Sequence, residues 1–277
     1  MSCKRLLTIQ DISCVGQCSL TVALPIISAC GIETSVLPSA VLSTHTAGFT
    51  DYTFKDLTDE MPKIRQHWEK EGIKFDAVYT GYLGSAKQIE YVKDIFSSVK
   101  KENGLTIVDP AMADNGKLYV GFDKDFAEAM KDLCKDADYI VPNLTEACLL
   151  TGVPYTPDYD EEYIKSIIEK LNALGCKNII FTGVSYDKKS TGVLVSLDGS
   201  NKYYKHPLLP VVCHGTGDIY ASAFVGSFMR GKNAYDAAKI AADYTFECIK
   251  ATVGDESHWY GSKFEPLLGK LIKALED

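Results

Sequence analysis

The chain has 277 residues, 46% of them apolar, enough for one large α/β core and ordinary for a globular protein. Its formal net charge is -8 with no Lys/Arg cluster, which argues against nucleic acid or an anionic membrane surface as partner. Nine cysteines, an odd number, are scattered along it; Cys14 and Cys18 match no zinc signature, so reduced thiols and a cytoplasmic home are expected.

Arg5–Ile9 reads as a first strand. Cys18–Cys30 reads as a helix, with Pro25 a kink or an early-turn residue. The apolar run after Lys4 and Arg5 raises a signal peptide, but Asp11, Gln17 and Pro25 break it up. No stretch is long enough to cross a bilayer. Thr34–Leu37, Ala77–Tyr79, Leu105–Val108, Tyr139–Val141 and Asn178–Phe181 are short runs rich in β-branched or aromatic residues, suited to buried parallel strands. Helices fall between them. Ile89, Val92, Phe96 and Val99 share a face of Ser85–Lys101, and Ile164, Ile168, Leu171 and Leu174 share one of Glu161–Leu174, which Gly175 ends. Gly192–Leu197 and Lys202–Lys205 read as a hairpin around Asp198-Gly199. Asp218–Arg230, Asn233–Thr252 and a segment near Phe264–Leu275 read as closing helices. With no linker, repeat or low-complexity tract, residues 1–277 read as one domain: a three-layer αβα sandwich on a mostly parallel sheet, with ligands at the carboxyl ends of the strands.

The polar motifs fall at those ends. In His214-Gly215-Thr216-Gly217-Asp218 a glycine turn enters a helix with small early residues. Glycines admit an anion close to the backbone, and the helix start offers unpaired N–H groups, so Gly215, Thr216 and Gly217 form a candidate phosphate cradle. A carboxylate there would repel phosphate; Asp218 is either a general base for an attacking hydroxyl or an ordinary helix cap. Asn143 and Glu146 in Pro142-Asn143-Leu144-Thr145-Glu146 are spaced to face one point, as Mg²⁺ ligands through water or as a helix cap. Asp109, in Val108-Asp109-Pro110, is a metal-sharing carboxylate or a turn. Gly81-Tyr82-Leu83-Gly84-Ser85 and Ser43-Thr44-His45-Thr46 are polar loops. There is no G-x-x-x-x-G-K-[ST], no G-x-G-x-x-G after the first strand, no H-E-x-x-H and no G-x-S-x-G.

In this order, Ile9-Gln10, Leu42–Thr46, Gly81–Ala86, Asp109-Pro110, Pro142–Glu146 and Gly215–Asp218 resemble the pyridoxal kinase family of the ribokinase-like superfamily. The resemblance implies transfer of phosphate from ATP to the 5′-hydroxyl of pyridoxal, pyridoxine or pyridoxamine, with Mg²⁺, often a monovalent cation such as K⁺, and a homodimer. It implies Asp218 as base and Gly215, Thr216 and Gly217 as anion hole. Asp109, Asn143, Glu146, Thr182, His206 and Leu208 then lie on the nucleotide side, with Asp109 and Glu146 toward the metal, while Asp11, His45, Thr46 and Tyr82 contact the ring substrate. The sequence departs from the pattern where Asp11 replaces the usual Ser, Thr44 an Asn and Thr182 a basic residue. The stretch from His206 to Asp218 is also short against some relatives. A hydroxymethylpyrimidine kinase would share fold and cradle but often carries Cys where Asp218 stands. A non-catalytic relative would be expected to lose Asp218 or the glycines.

Overall fold

The structure, a computed structural model, describes residues 3–211 and 213–276. Its strands are β1 (Arg5–Ser13), β2 (Glu33–Leu42), β3 (Phe54–Asp56), β4 (Phe75–Thr80), β5 (Lys100–Val108), β6 (Ala113–Asp114), β7 (Lys117–Leu118), β8 (Tyr139–Ile140), β9 (Asn178–Asp187), β10 (Ser190–Leu197) and β11 (Ser200–Pro207). The helices are α1 (Leu20–Ala29), α2 (Met61–Lys70), α3 (Ala86–Ser98), α4 (Lys124–Lys135), α5 (Leu144–Thr151), α6 (Glu161–Ala173), α7 (Thr216–Arg230), α8 (Ala234–Thr252) and α9 (Leu268–Glu276).

Nine strands form one sheet in the order β11-β10-β9-β8-β5-β4-β1-β2-β3. The run from β9 to β2 is parallel, while β3 at one edge and β10 and β11 at the other are antiparallel. The chain leaves β1 toward β2 and later returns to β4 on its other side, so a topological switch point opens beside β1, where such sheets bind ligands. One face packs against α2 to α6 through Met61, Phe96, Phe126 and Leu171; the other packs against α1, α7, α8 and α9 through Ile27, Phe224, Ala241 and Leu271. Burying side chains such as Phe75, Phe181 and Phe224 contributes about 2–3 kcal/mol each before entropy is counted.

Local chemistry sets the boundaries. Ser85, Asp123, Asp160 and Asn233 each accept the backbone N–H three residues on and start α3, α4, α6 and α8. The expected hairpin is present: Asp198 and Gly199 have φ of 46° and 83°, the left-handed pair a two-residue turn demands. Helix α7 is buried along most of its length, and its small residues allow this. A Cβ at Gly226 would come within 2.5 Å of Cys30 Sγ, so glycine lets α7 approach α1. Other boundaries shift. The first helix starts at Leu20 rather than Cys18, α7 starts two residues before Asp218, and β2, β5 and β9 extend beyond the runs predicted for them. Pro25 sits inside α1, in its middle rather than its first turn.

Candidate active site

The motifs converge on the carboxyl ends of the parallel strands. β1 continues past Ile9, and its pairing with β2 shifts register between Gln10 and Ile12. That irregularity places Asp11 inside, 4% exposed, where the Ser13 hydroxyl donates to Oδ2 at 3.0 Å. Burial raises the Asp11 pKa, while the Ser19 and Ser13 hydroxyls and the nearby His45 oppose the rise. Gln10 is buried below, its Nε2 donating to Thr8 Oγ1 at 2.9 Å and its Oε1 without a protein partner. Gly81 lies so close that a Cβ would come within 2.7 Å of Gln10 Cδ.

His45 is buried, and both ring nitrogens are engaged by backbone. Nδ1 accepts from the Ala47 N–H at 3.1 Å, so Nε2 carries the proton and donates to the Tyr260 carbonyl at 2.6 Å. The ring therefore ties the 43–49 loop to the segment after α8 and offers no free nitrogen to a ligand. Trp259 from that segment meets Phe49, ring centroids 4.6 Å apart. Thr46 beside it is exposed. The Tyr82 ring stacks on Phe122 at 5.4 Å, and burial, then the Asp11 charge, push its phenol up to about 12.

At the start of α7 Gly215 is the cap, with φ +75°. A side chain there is impossible: a Cβ would fall 1.6 Å from the Gln17 carbonyl oxygen. Thr216, Gly217 and Asp218 make up the first turn, whose N–H groups have no partner within the helix. Asp218 is half-buried. Burial, then the Asp11 carboxylate, push its pKa up to about 7, and the Ser19 backbone N–H works against the rise. Asp109 is pushed well above the usual carboxylate range by burial and then by the Glu146 and Asp218 charges; the Ala111 N–H donates to its Oδ1 at 3.2 Å. Glu146 closes a capping box with Asn143. Its Oε2 accepts the Asn143 N–H at 2.9 Å, its Oε1 accepts the Met112 N–H at 3.2 Å, and Asn143 Oδ1 accepts the Glu146 N–H at 3.0 Å. Burial still raises Glu146 to about 7. Asn143 Nδ2 is taken by the Ala113 carbonyl, so the capping role foreseen for this pair is realised in full.

Asp11, Tyr82, Asp109, Glu146 and Asp218 thus belong to one neighbourhood: Asp11 acts on Tyr82 and Asp218, and Glu146 and Asp218 act on Asp109. Thr182 is set further along the sheet, its N–H donating to the Pro142 carbonyl at 2.9 Å. His206 and Leu208 are not drawn into the cluster. His206 is on edge strand β11 and lines an open cleft of about 570 Å³ with Lys188, Lys189 and Lys205, while the exposed Leu208 bonds to Lys189. Two residues at the site lie outside the sequence motifs. Tyr119 follows β7, and its phenol is raised by burial, then by the Glu146 and Asp109 charges. Ser19, at the N-cap of α1, is buried with a left-handed φ of 55°. The short hairpin before Tyr119 is marked by Asn115-Gly116, whose φ of 50° and 77° make the two-residue turn, a signal outside the motifs above; the odd backbone at Ser19 leaves no mark in composition or periodicity.

A doubly wound sheet, a glycine turn at a helix start and an aspartate in that helix's first turn define a small-molecule kinase of the ribokinase-like kind. Residues 27–262 match the phosphomethylpyrimidine kinase family model, and the chain belongs to that family. A Bacteroides thetaiotaomicron protein described as a phosphomethylpyrimidine kinase and crystallised with pyridoxal is 38% identical, with a TM-score of 0.90 over 100% of this chain and 96% of that one. Pyridoxal kinase from Lactobacillus plantarum is 31% identical, with a TM-score of 0.91 over 99% of each chain. Pyridoxal kinase of Dictyostelium discoideum is 29% identical over 243 residues, 82% of this chain and 78% of that protein.

Proposed function

We propose that residues 1–277 act as one catalytic unit that transfers the γ-phosphoryl group of ATP to the 5′-hydroxymethyl group of a vitamin B6 vitamer. The observation that carries this reading is Asp218. It is held in the first turn of α7, directly after the Gly215-Thr216-Gly217 turn, with a pKa near 7. A carboxylate so tuned can take a proton from an alcohol at neutral pH and return it afterwards. The N–H groups of Thr216 and Gly217 would bind the migrating phosphoryl oxygens, Gly215 making the turn that aims them. Asp11 would accept a hydrogen bond from the ring's polar edge. Thr46 and Tyr82 would border the ring, and His45 would hold the loop that carries Thr46. Thr182, His206 and Leu208 are assigned to the nucleotide side, beyond Asn143.

Among the described residues no three His, Cys, Asp or Glu side chains form a ready-made metal site. A Mg²⁺ ion would take most of its ligands from phosphate and water, with Asp109 and Glu146 behind them. The donor set fits: Asp109 is an oxygen ligand buried beside two other carboxylates with no cation near enough to lower its pKa. When bound, such an ion neutralises charge between the phosphates.

The free state of all nine cysteines supports a reducing, cytoplasmic setting. A K⁺ requirement and a homodimer belong to the same reading. The family's name favours a second reading, a hydroxymethylpyrimidine kinase; Asp218 in place of the Cys often found in that group supports B6.

A substrate panel tests the proposal. Purified chain, ATP and Mg²⁺, with and without K⁺, are offered pyridoxal, pyridoxine, pyridoxamine and hydroxymethylpyrimidine. Phosphorylation of a B6 vitamer with the highest kcat/KM is expected. Turnover of the pyrimidine alone favours the second reading, and turnover of none refutes both. Sedimentation of the same sample decides the dimer.

A further inference from the structure

Between α8 and α9 the chain reaches the site as a short segment, residues 255–263, that closes on itself. Asp255 Oδ1 accepts the Ser257 N–H at 3.0 Å, and the Asp255 carboxylate pairs with Lys263 Nζ. Thr252 Oγ1, at the end of α8, accepts the Lys263 N–H at 2.9 Å. Within the segment His258 Nδ1 donates to the Gly261 carbonyl at 2.7 Å. Bonds at its ends and across its middle make it a stiff strap.

The strap meets both halves of the site within three residues. The Tyr260 carbonyl accepts from His45 Nε2, in the 43–49 loop, at 2.6 Å. The Ser262 N–H donates to the His214 carbonyl, next to the Gly215 turn, at 3.3 Å. Gly261 between them packs on Gln17. A Cβ there would come within 2.4 Å of Gln17 Cβ, and the Gln17 carbonyl is the group that lies against Gly215. On the loop side Trp259 meets Phe49, and a Cβ at Gly48 would come within 3.0 Å of the Trp259 ring. Phe49 in turn lies edge-on to His45, with centroids 5.0 Å apart. Trp259 is 50% exposed, so it fills no core; its packed face is spent on the 43–49 loop.

We propose that the strap couples the two halves of the site, with Trp259 as a positioning residue, so that ring alcohol and nucleotide bind more tightly together than either does alone. A ligand that favours one arrangement of the 43–49 loop then favours one arrangement of the phosphate turn, and the reverse holds equally. The coupling acts on joint binding and leaves the nucleotide's own affinity untouched. This inference rests on the proposed function, with the ring beside the 43–49 loop and the phosphates at the start of α7.

Calorimetry on the full chain tests it. The Kd of pyridoxine, which lacks an aldehyde to react with lysines, is measured with and without a non-hydrolysable ATP analogue and Mg²⁺. The analogue should lower the wild-type Kd about fivefold or more, an ordinary size for coupling between sites. Trp259→Ala and Phe49→Ala should each cut that ratio to about twofold or less, and the double variant should cut it no further, since both remove one contact. Trp259→Phe keeps an aromatic face on Phe49 and should hold the ratio within about twofold of wild type. The Kd of the analogue alone should stay within about twofold in every variant. No tightening in wild type, an undiminished ratio in Trp259→Ala, or a Trp259→Phe as poor as Trp259→Ala overturns the proposal. So does weaker binding of the analogue alone, which marks plain damage to the fold. This test reads binding and the substrate panel reads turnover, so the two can fail separately. If another alcohol is turned over, the titration uses that alcohol.

Discussion

Asp218→Asn should damage activity and improve stability together, with the stability gain following pH. A carboxyl whose folded pKa is about 7 against an ordinary 3.8 binds its proton more tightly in the folded chain. The ionised form is therefore a destabilising charge. Its cost is absent below the unfolded value, grows as pH rises from about 4 to 7, and is fully present above 7. The rise from 3.8 to about 7 corresponds to about 4 kcal/mol if nothing screens the group. Asp218 is half-buried, so about 2 kcal/mol is the reasonable figure after solvent screening. For a chain of this length that is about 4 °C in Tm. Paired melts of wild type and Asp218→Asn, without nucleotide, should differ by about that amount at pH 8 and converge toward pH 4, other groups cancelling in the difference. Turnover should fall about 10²- to 10⁴-fold, the usual worth of a general base, with ATP affinity nearly unchanged. A Tm difference that ignores pH, or a variant that loses nucleotide binding along with turnover, would refute the assignment of Asp218 as a partly desolvated base.

Wild-type kcat/KM should rise about tenfold from pH 6 to pH 8, as the essential base ionises around pH 7; a flat profile over that range counts against it. Glu146→Ala opens the capping box and strips the Met112 N–H of its acceptor, so chemical denaturation should show about 1–3 kcal/mol of lost stability. Glu146→Gln should fold better, yet both variants should need more Mg²⁺ for half-maximal rate, read from a metal titration. Gly215→Ala forces a Cβ into the Gln17 carbonyl at a left-handed φ, and activity should drop by about 100-fold or more even in the soluble fraction, as for loss of an oxyanion donor. His45→Ala should raise substrate KM with kcat held, because the ring anchors a loop; an equal fall in kcat would show it acting in the chemistry instead.

The central strands were legible because each is an apolar β-branched run with no competing signal, and the hairpin because Asp198-Gly199 has few other uses. β3 and α2 carry little apolar signal. β3 is three exposed residues at an edge, and α2 is mostly polar with only Met61 buried. α4 carries Phe126, Met130, Leu133 and Cys134 on one buried face, a pattern present in the sequence and not read. At the site, motif residues sit at strand ends as expected, because a parallel sheet gathers its carboxyl ends on one rim. What stayed hidden depends on tertiary detail. Examples are the proton on His45, set by a carbonyl 215 residues away, and the left-handed backbone at Ser19.

The switch point beside β1 also divides labour. Asp11 and the 43–49 loop belong to β1 and β2 on one side, whereas Asp109 and Glu146 belong to β5 and the helix after β8 on the other. The first turn of α7 stands at the seam. On the proposed assignment, substitutions around Asp11 and the 43–49 loop would change the ring-binding flank without disturbing the nucleotide flank. A scaffold divided this way lets pyridine and pyrimidine alcohols be exchanged by changing few residues, consistent with a single lineage holding kinases for both rings.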